Sequence, residues 1–154
     1  MAELKEGDKA PYFKGLNQDG IEISLDKFKD KRLILYFYPK DDTPGCTAEA
    51  CNFNDNIDML RGKGFDVVGV SKDTAAKHLK FIARYDLYFN LIADTEHIIM
   101  EDYGTWREQK MFGKKYMGTV RTTFIISAEG IIEKIFSKVD TKKHIEQIFK
   151  ELQI

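Results

Sequence analysis

The sequence predicts a layered α/β domain in which a central mixed sheet is flanked by helices. Three observations carry this. Arg32-Leu33-Ile34-Leu35-Tyr36-Phe37-Tyr38 and Phe65-Asp66-Val67-Val68-Gly69-Val70 are largely apolar on both faces, as strands covered on both sides require. Segments with helical apolar spacing lie between and after them. Two late strand-like runs flank Ala128-Glu129-Gly130, and this antiparallel return makes the sheet mixed rather than purely parallel.

Element by element, residues 12–24 hold two short apolar stretches around Asn17-Gln18-Asp19-Gly20, and Asp-Gly is a strong hairpin signal. The strand from Arg32 ends at Pro39, because proline cannot donate to a ladder. The loop Lys40-Asp41-Asp42-Thr43-Pro44-Gly45 leads into a helix that begins near Cys46. Ala50, Phe53, Ile57 and Leu60 form its core-facing stripe, and Gly62 and Gly64 mark its end. After the strand at 65–70, Asp73 is the expected N-cap of a helix that turns Leu79, Ile82 and Ala83 inward. Asn90-Leu91-Ile92-Ala93 is a short strand, followed by a short helix around 95–103. Residues 106–117 read as an irregular excursion with Gly113 at a turn. Val120 to Ser127 and Ile131 to Phe136 are the late strand pair, and Ile145, Ile148, Phe149 and Leu152 give a closing helix one buried face. An N-terminal hairpin followed by alternating elements fits a thioredoxin-like fold, with flavodoxin-like as the alternative. No repeat or linker interrupts the chain, so one domain is expected over residues 1–154.

The balance of charge and apolar content narrows the function. Of 154 residues, 43% are hydrophobic and 32% charged, which argues against disorder. The net charge is -1 and no long basic tract appears, so a nucleic-acid partner is not expected. Mixed clusters such as Lys29-Asp30-Lys31-Arg32 read as a solvated face. No apolar run reaches the roughly 20 residues of a membrane helix, and Met1-Ala2-Glu3-Leu4-Lys5-Glu6 has no signal-like apolar core. A cytoplasmic location is therefore expected, where stable structural disulfides are rare.

Two cysteines are present, Cys46 and Cys51. Two ligands cannot close a structural zinc site, and His78, His97 and His144 lie without ligand spacing, in places that suit helix surfaces. Cys46 lies where a buried strand has ended and a helix begins. Sites in open α/β sheets gather beyond the carboxyl ends of strands, and the unpaired N–H groups of a helix start favour thiolate over thiol. Pro39, Pro44 and Gly45 restrain the backbone beside the thiol, and Thr43 offers a hydroxyl three residues before it. Cys51 is five residues on, about 8–9 Å away between Cα atoms on an ideal helix. A disulfide needs less than about 7 Å, so joining the pair requires the first turns to unwind. Arg121 opens the strand Arg121-Thr122-Thr123-Phe124-Ile125-Ile126, where it either stabilises a thiolate and a departing oxyanion or forms a surface ion pair. Trp106, Met111, Phe112, Tyr116 and Met117 either rim an entrance or fill gaps in the packing of the excursion.

The stretch from Tyr36 to Cys51, with its Pro-x-x-x-Thr-x-x-Cys pattern and a cysteine five residues later, closely resembles the peroxiredoxins. More narrowly it resembles the bacterioferritin comigratory protein, or peroxiredoxin Q, subfamily. Tyr103-Gly104-Thr105-Trp106, the run Met111 to Gly118 and Arg121-Thr122-Thr123-Phe124 agree with the same group. The resemblance implies a thioredoxin-like fold and reduction of hydrogen peroxide and organic hydroperoxides, with thioredoxin or a similar dithiol as reductant. It implies that Cys46 attacks the peroxide, Pro39 shields it, Thr43 orients the peroxide, Arg121 polarises it and Cys51 resolves the oxidised sulfur. It also implies a monomer that uses no cofactor. Ser127, where an acidic residue is expected, and Gln109, where lysine is common, depart from the pattern away from this chemistry. A general thiol–disulfide oxidoreductase is the rival enzyme, although it usually carries Cys-x-x-Cys. A binding module with two packing cysteines is the non-enzymatic rival.

Overall fold

The expected hairpin opens the described chain, with β1 (Lys14–Leu16) and β2 (Glu22–Ser24) paired antiparallel across a turn in which Gly20 adopts φ +73. The structure is a computed structural model that describes residues 3–154; Met1 and Ala2, the first two residues of the signal-free start and of the domain assigned to 1–154, lie outside it. A 3-10 turn (Leu25–Phe28) then leads to β3 (Arg32–Phe37). In order follow α1 (Pro44–Asp55), α2 (Ile57–Gly62), β4 (Phe65–Ser71), α3 (Ala75–Tyr85), β5 (Asn90–Ala93) and α4 (Ile98–Asp102). The chain closes with β6 (Trp106–Met111), β7 (Lys114–Thr119), β8 (Thr122–Ile126), β9 (Ile132–Phe136) and α5 (His144–Leu152).

Five strands form the central sheet in the order β5-β4-β3-β8-β9. β3 runs parallel to β4 and antiparallel to β8, and the β8–β9 return is antiparallel, so the sheet is mixed as expected. The pleat explains the two-sided apolar runs, since successive side chains point to opposite faces. Ile34, Tyr36 and Tyr38 pack with α1, α2 and α5 through Ala50, Phe53, Leu60, Ile145 and Ile148. Leu33, Leu35 and Phe37 face the other way, against Phe13, Ile23, Met100 and Tyr103 from the N-terminal segment and the α4 region. Both layers are filled, and this places the carboxyl end of β3 and the start of α1 over the middle of the sheet. No helix among the described residues is long and apolar enough to cross a membrane.

Five expectations are corrected. The helix from Cys46 to Leu60 is interrupted, because the Asn56 side chain donates to the Asn52 carbonyl at 2.8 Å and displaces the backbone bond that would use it. The buried stripe of Ala50, Phe53, Ile57 and Leu60 survives the break. The cap of α3 is Thr74, whose hydroxyl accepts from the Lys77 amide, because the Asp73 carboxylate is engaged by the Asp41 amide and the Ser71 hydroxyl. The inward face of α3 is His78 and Phe81, with Ile82 partly buried against the core as expected, whereas Leu79 and Ala83 are exposed. His78 and His144 are fully buried rather than on helix surfaces, each with both ring nitrogens in hydrogen bonds. Residues 106–119 form a regular two-stranded ribbon, β6 on β7, with Phe112 and Gly113 at positive φ in its turn. Its strands join no other sheet, so neither face shows the alternation that reveals a half-buried strand.

Candidate active site

Tyr38 extends the end of β3 by donating its amide to the Val70 carbonyl, and Pro39 ends the ladder there. The loop that follows is tied down by buried polar groups. Asp41 gives its amide to the Asp73 carboxylate, accepts the Tyr38 hydroxyl at 2.6 Å, and meets His78 Nδ1 at 2.6 Å. His78 donates from Nε2 to the Ile92 carbonyl. Asp42, at φ 59, accepts from Arg84 and the Tyr85 hydroxyl. These contacts deliver Thr43 in extended geometry (φ -95, ψ 157) as the N-cap of α1, with Pro44 in the first turn. The Thr43 hydroxyl makes no capping bond and donates instead to the Lys40 carbonyl at 2.9 Å. Pro39 and Thr43 are both partly exposed beside the start of the helix.

Cys46 lies in the first turn of α1 and is 1% exposed. Arg121, immediately before β8 and so at the same end of the sheet as the carboxyl end of β3, reaches it with Nη2 3.3 Å from the sulfur. The other arm of the guanidinium donates to Glu49 Oε1 at 2.7 Å. The surface ion pair allowed for Arg121 is therefore not what forms. Gly45 makes the approach possible, since a Cβ there would lie 3.2 Å from Arg121 Nη2. Burial alone would lower the Arg121 pKa, but Glu49 and Cys46 outweigh it and hold the guanidinium above its ordinary value.

Glu49 is fully buried one turn beyond Cys46. Burial pushes its carboxyl up to about 7, against the opposing pull of Arg121. Its second oxygen, Oε2, has no hydrogen-bond partner among the described residues and faces His144 Nε2 at 3.8 Å. His144 is held between Thr123 Oγ1 and Gln147 Oε1, both at 2.8 Å, and stacks edge-on against Phe53 and Phe136. Burial drives its pKa down to about 4, so the ring is neutral.

Cys51 is on the same helix and half-buried, and both thiols are free. Burial and then the nearby Asp55 push its thiol up. Of the residues singled out in the sequence, the structure joins Cys46 to Arg121 directly and ranges Pro39 and Thr43 along the approach to the helix. Met111, Phe112, Tyr116 and Met117 are not core fillers, for all are well exposed on the ribbon, while Trp106 stacks flat on His97 with centroids 4.0 Å apart. Sequence reasoning missed Glu49, His144 and Thr123. Glu49 did carry a signal, since a carboxylate three residues after Cys46 and four before Phe53 falls inside the buried arc of the helix.

A thioredoxin-like sheet that offers a helix-start cysteine to a partly buried guanidinium is the arrangement of a thiol enzyme, and it lacks the Cys-x-x-Cys pair usual in a disulfide exchanger. The chain belongs to the AhpC/TSA family, which it matches over residues 6–135. It is 40% identical over 153 residues to Peroxiredoxin Bcp of Escherichia coli K12, covering 99% of this chain and 98% of that one. The Xanthomonas campestris bacterioferritin comigratory protein, solved in work on its alkyl peroxide reduction, superposes with TM-score 0.85 and 30% identity over 92% of this chain and 90% of its own. A cysteine-to-serine variant of Xylella fastidiosa PrxQ superposes with TM-score 0.91 and 26% identity, over 99% and 98%. The protein is thus a peroxiredoxin of the Bcp and PrxQ kind, an enzyme that reduces peroxide with a thiol.

Proposed function

We propose that this peroxiredoxin reduces hydrogen peroxide and organic hydroperoxides with Cys46 as the attacking thiolate and Cys51 as the resolving thiol. The observation that carries the assignment is the 3.3 Å contact between Arg121 and the Cys46 sulfur, with the guanidinium fixed by Glu49 on its other arm. The thiolate attacks the terminal peroxide oxygen. The O–O bond breaks, the alkoxide or hydroxide leaves and takes a proton, and sulfur becomes a sulfenic acid. Cys51 then attacks Cys46, water leaves, and an intramolecular disulfide forms. Thioredoxin or a similar dithiol reduces that disulfide by exchange.

In this scheme Arg121 holds charge as it moves from sulfur to the departing oxygen. Thr43 turns its hydroxyl from the Lys40 carbonyl to the peroxide, and Pro39 keeps bulk water from the sulfur. No cofactor enters the cycle. One domain over residues 1–154, working as a monomer in the reducing cytoplasm, suffices for it. The test is a pair of variants under single-turnover conditions. Cys46→Ser loses peroxide reduction. Cys51→Ser completes one turnover and then stalls unless an outside thiol is supplied. Full first-turnover activity in Cys46→Ser would remove the assignment. An insulin-reduction assay separates the enzyme from a general thiol–disulfide oxidoreductase, which would reduce insulin readily.

A further inference from the structure

We propose that Glu49 rests in the reduced enzyme as a neutral carboxylic acid and holds the proton that Cys46 has given up, so that the single positive charge of Arg121 is left to the sulfur. This deepens the assignment of Cys46 as the attacking thiolate and rests on it.

Cys46, Arg121 and Glu49 form one contact chain with one cation and two groups able to be anions. Cys46 and Glu49 are almost wholly buried, so two anions on one guanidinium would leave a net negative charge out of water. One proton must therefore be kept on one of the two. The geometry points to Glu49 as its holder. Arg121 satisfies only Oε1, and a bare Oε2 in the interior is a costly place for charge. A proton on Oε2 removes the charge from that unpartnered site.

His144 cannot provide the proton itself. Gln147 donates its amide nitrogen to the Lys138 carbonyl, so its Oε1 faces the ring and Nδ1 carries the hydrogen. Nε2 is then an acceptor, filled by the Thr123 hydroxyl. The remaining ionisable neighbour is Tyr36 on β3, buried and with its pKa raised well above the ordinary value, and therefore neutral. Asp140 acts on His144, and Asp41 on Tyr36, rather than on Glu49. The upward push of burial on Glu49 to about 7 agrees with this arrangement.

The reaction balances with that proton. Thiolate, carboxylic acid and hydroperoxide give sulfenic acid, carboxylate and alcohol. Sulfur loses two electrons, the O–O bond gains them, and the carboxyl proton equals the one the alkoxide takes up. Once sulfur is neutral, Glu49 has no rival for Arg121 and can ionise. Glu49 is a positioning residue here, because it acts on the sulfur through Arg121.

Infrared difference spectroscopy of the reduced protein at pH 6, before and after one equivalent of peroxide, tests this. The expected result is a neutral carboxylic C=O band that disappears as Cys46 oxidises, and that is missing both in Cys46→Ser, where no thiolate competes with Glu49 for Arg121, and in Glu49→Gln. The single-turnover rate of wild type should fall several-fold between pH 7 and 9, while Glu49→Gln, which keeps an acceptor for Arg121, stays flat. A reduced wild type without such a band, or a Glu49→Gln enzyme as slow as Glu49→Ala at every pH, overturns the proposal. Peroxide reduction surviving in Cys46→Ser would instead overturn the underlying assignment, whatever the carboxyl band does.

Discussion

The proposed Cys46–Cys51 disulfide should unwind the first two turns of α1 and stop there. Both thiols are free on an intact helix, about 8–9 Å apart between Cα atoms by ideal geometry, beyond the roughly 7 Å limit for a disulfide. The residues that must move bury little apolar surface. Cys46 and Ala50 contribute about 1 kcal/mol each, and the helix bonds exchanged for water about 0.5–1.5 kcal/mol each, for a local cost on the order of 5 kcal/mol. The chain is pinned just beyond Cys51. Asn52 accepts the Ile145 amide at 2.9 Å, and Asn54 bonds the Asp86 carbonyl and the Tyr88 amide, both at 2.8 Å. Phe53, wholly buried, would add about 2–3 kcal/mol if exposed. Hydrogen exchange of the reduced and disulfide forms should therefore differ sharply over residues 45–51, with loss of most protection on oxidation, and little from 53 to 62. Equal protection of 45–51 in the two forms would refute the unwinding. Loss through α1 and α2 together would refute the pinning.

Three further outcomes follow from the same geometry. Arg121→Lys can serve the sulfur or Glu49 but not both in fork geometry, so the single-turnover rate should drop by about 10²–10³, measured by stopped flow, with the fold intact by circular dichroism. Gly45→Ala should cost less, about tenfold, because the added Cβ sits 3.2 Å from Arg121 Nη2 and must push it aside; an unchanged rate would show that the approach is loose. Stability against pH carries opposite contributions from two buried groups. Glu49, raised from 4.5 to about 7, makes the folded state bind the extra proton and so loses about 3 kcal/mol as pH rises through that window. His144, lowered from 6.5 to about 4, makes the unfolded state bind it and loses about 3 kcal/mol as pH falls through that one. Wild type should be nearly flat in urea midpoint from pH 5 to 6.5, whereas Glu49→Gln should rise with pH over the same range.

The central strands and the reactive cysteine were legible because their causes are local. A run apolar on both pleat faces, such as Leu33 to Tyr38, needs two covering layers wherever it lies in a chain. Cys46 follows directly from a strand end, two prolines and a helix start. What the sequence concealed depends on partners far along the chain. Glu49 meets Arg121 from 72 residues away, and that encounter gives one oxygen of a buried carboxyl group its partner. His78 and His144 look like surface residues until Asp41, Ile92, Thr123 and Gln147 supply their bonds. The α1–α2 break comes from one side chain competing for a backbone carbonyl. The β6–β7 ribbon is exposed along most of both faces, so burial wrote no period into it.

The most direct test of the account is the loss of hydrogen peroxide on mixing with pre-reduced protein over one turnover, for wild type, Cys51→Ser and Cys46→Ser. The account predicts a wild-type rate orders of magnitude above that of free cysteine, the same first turnover in Cys51→Ser, and none in Cys46→Ser. A wild-type rate near that of free cysteine, or one that Cys46→Ser retains, would contradict it.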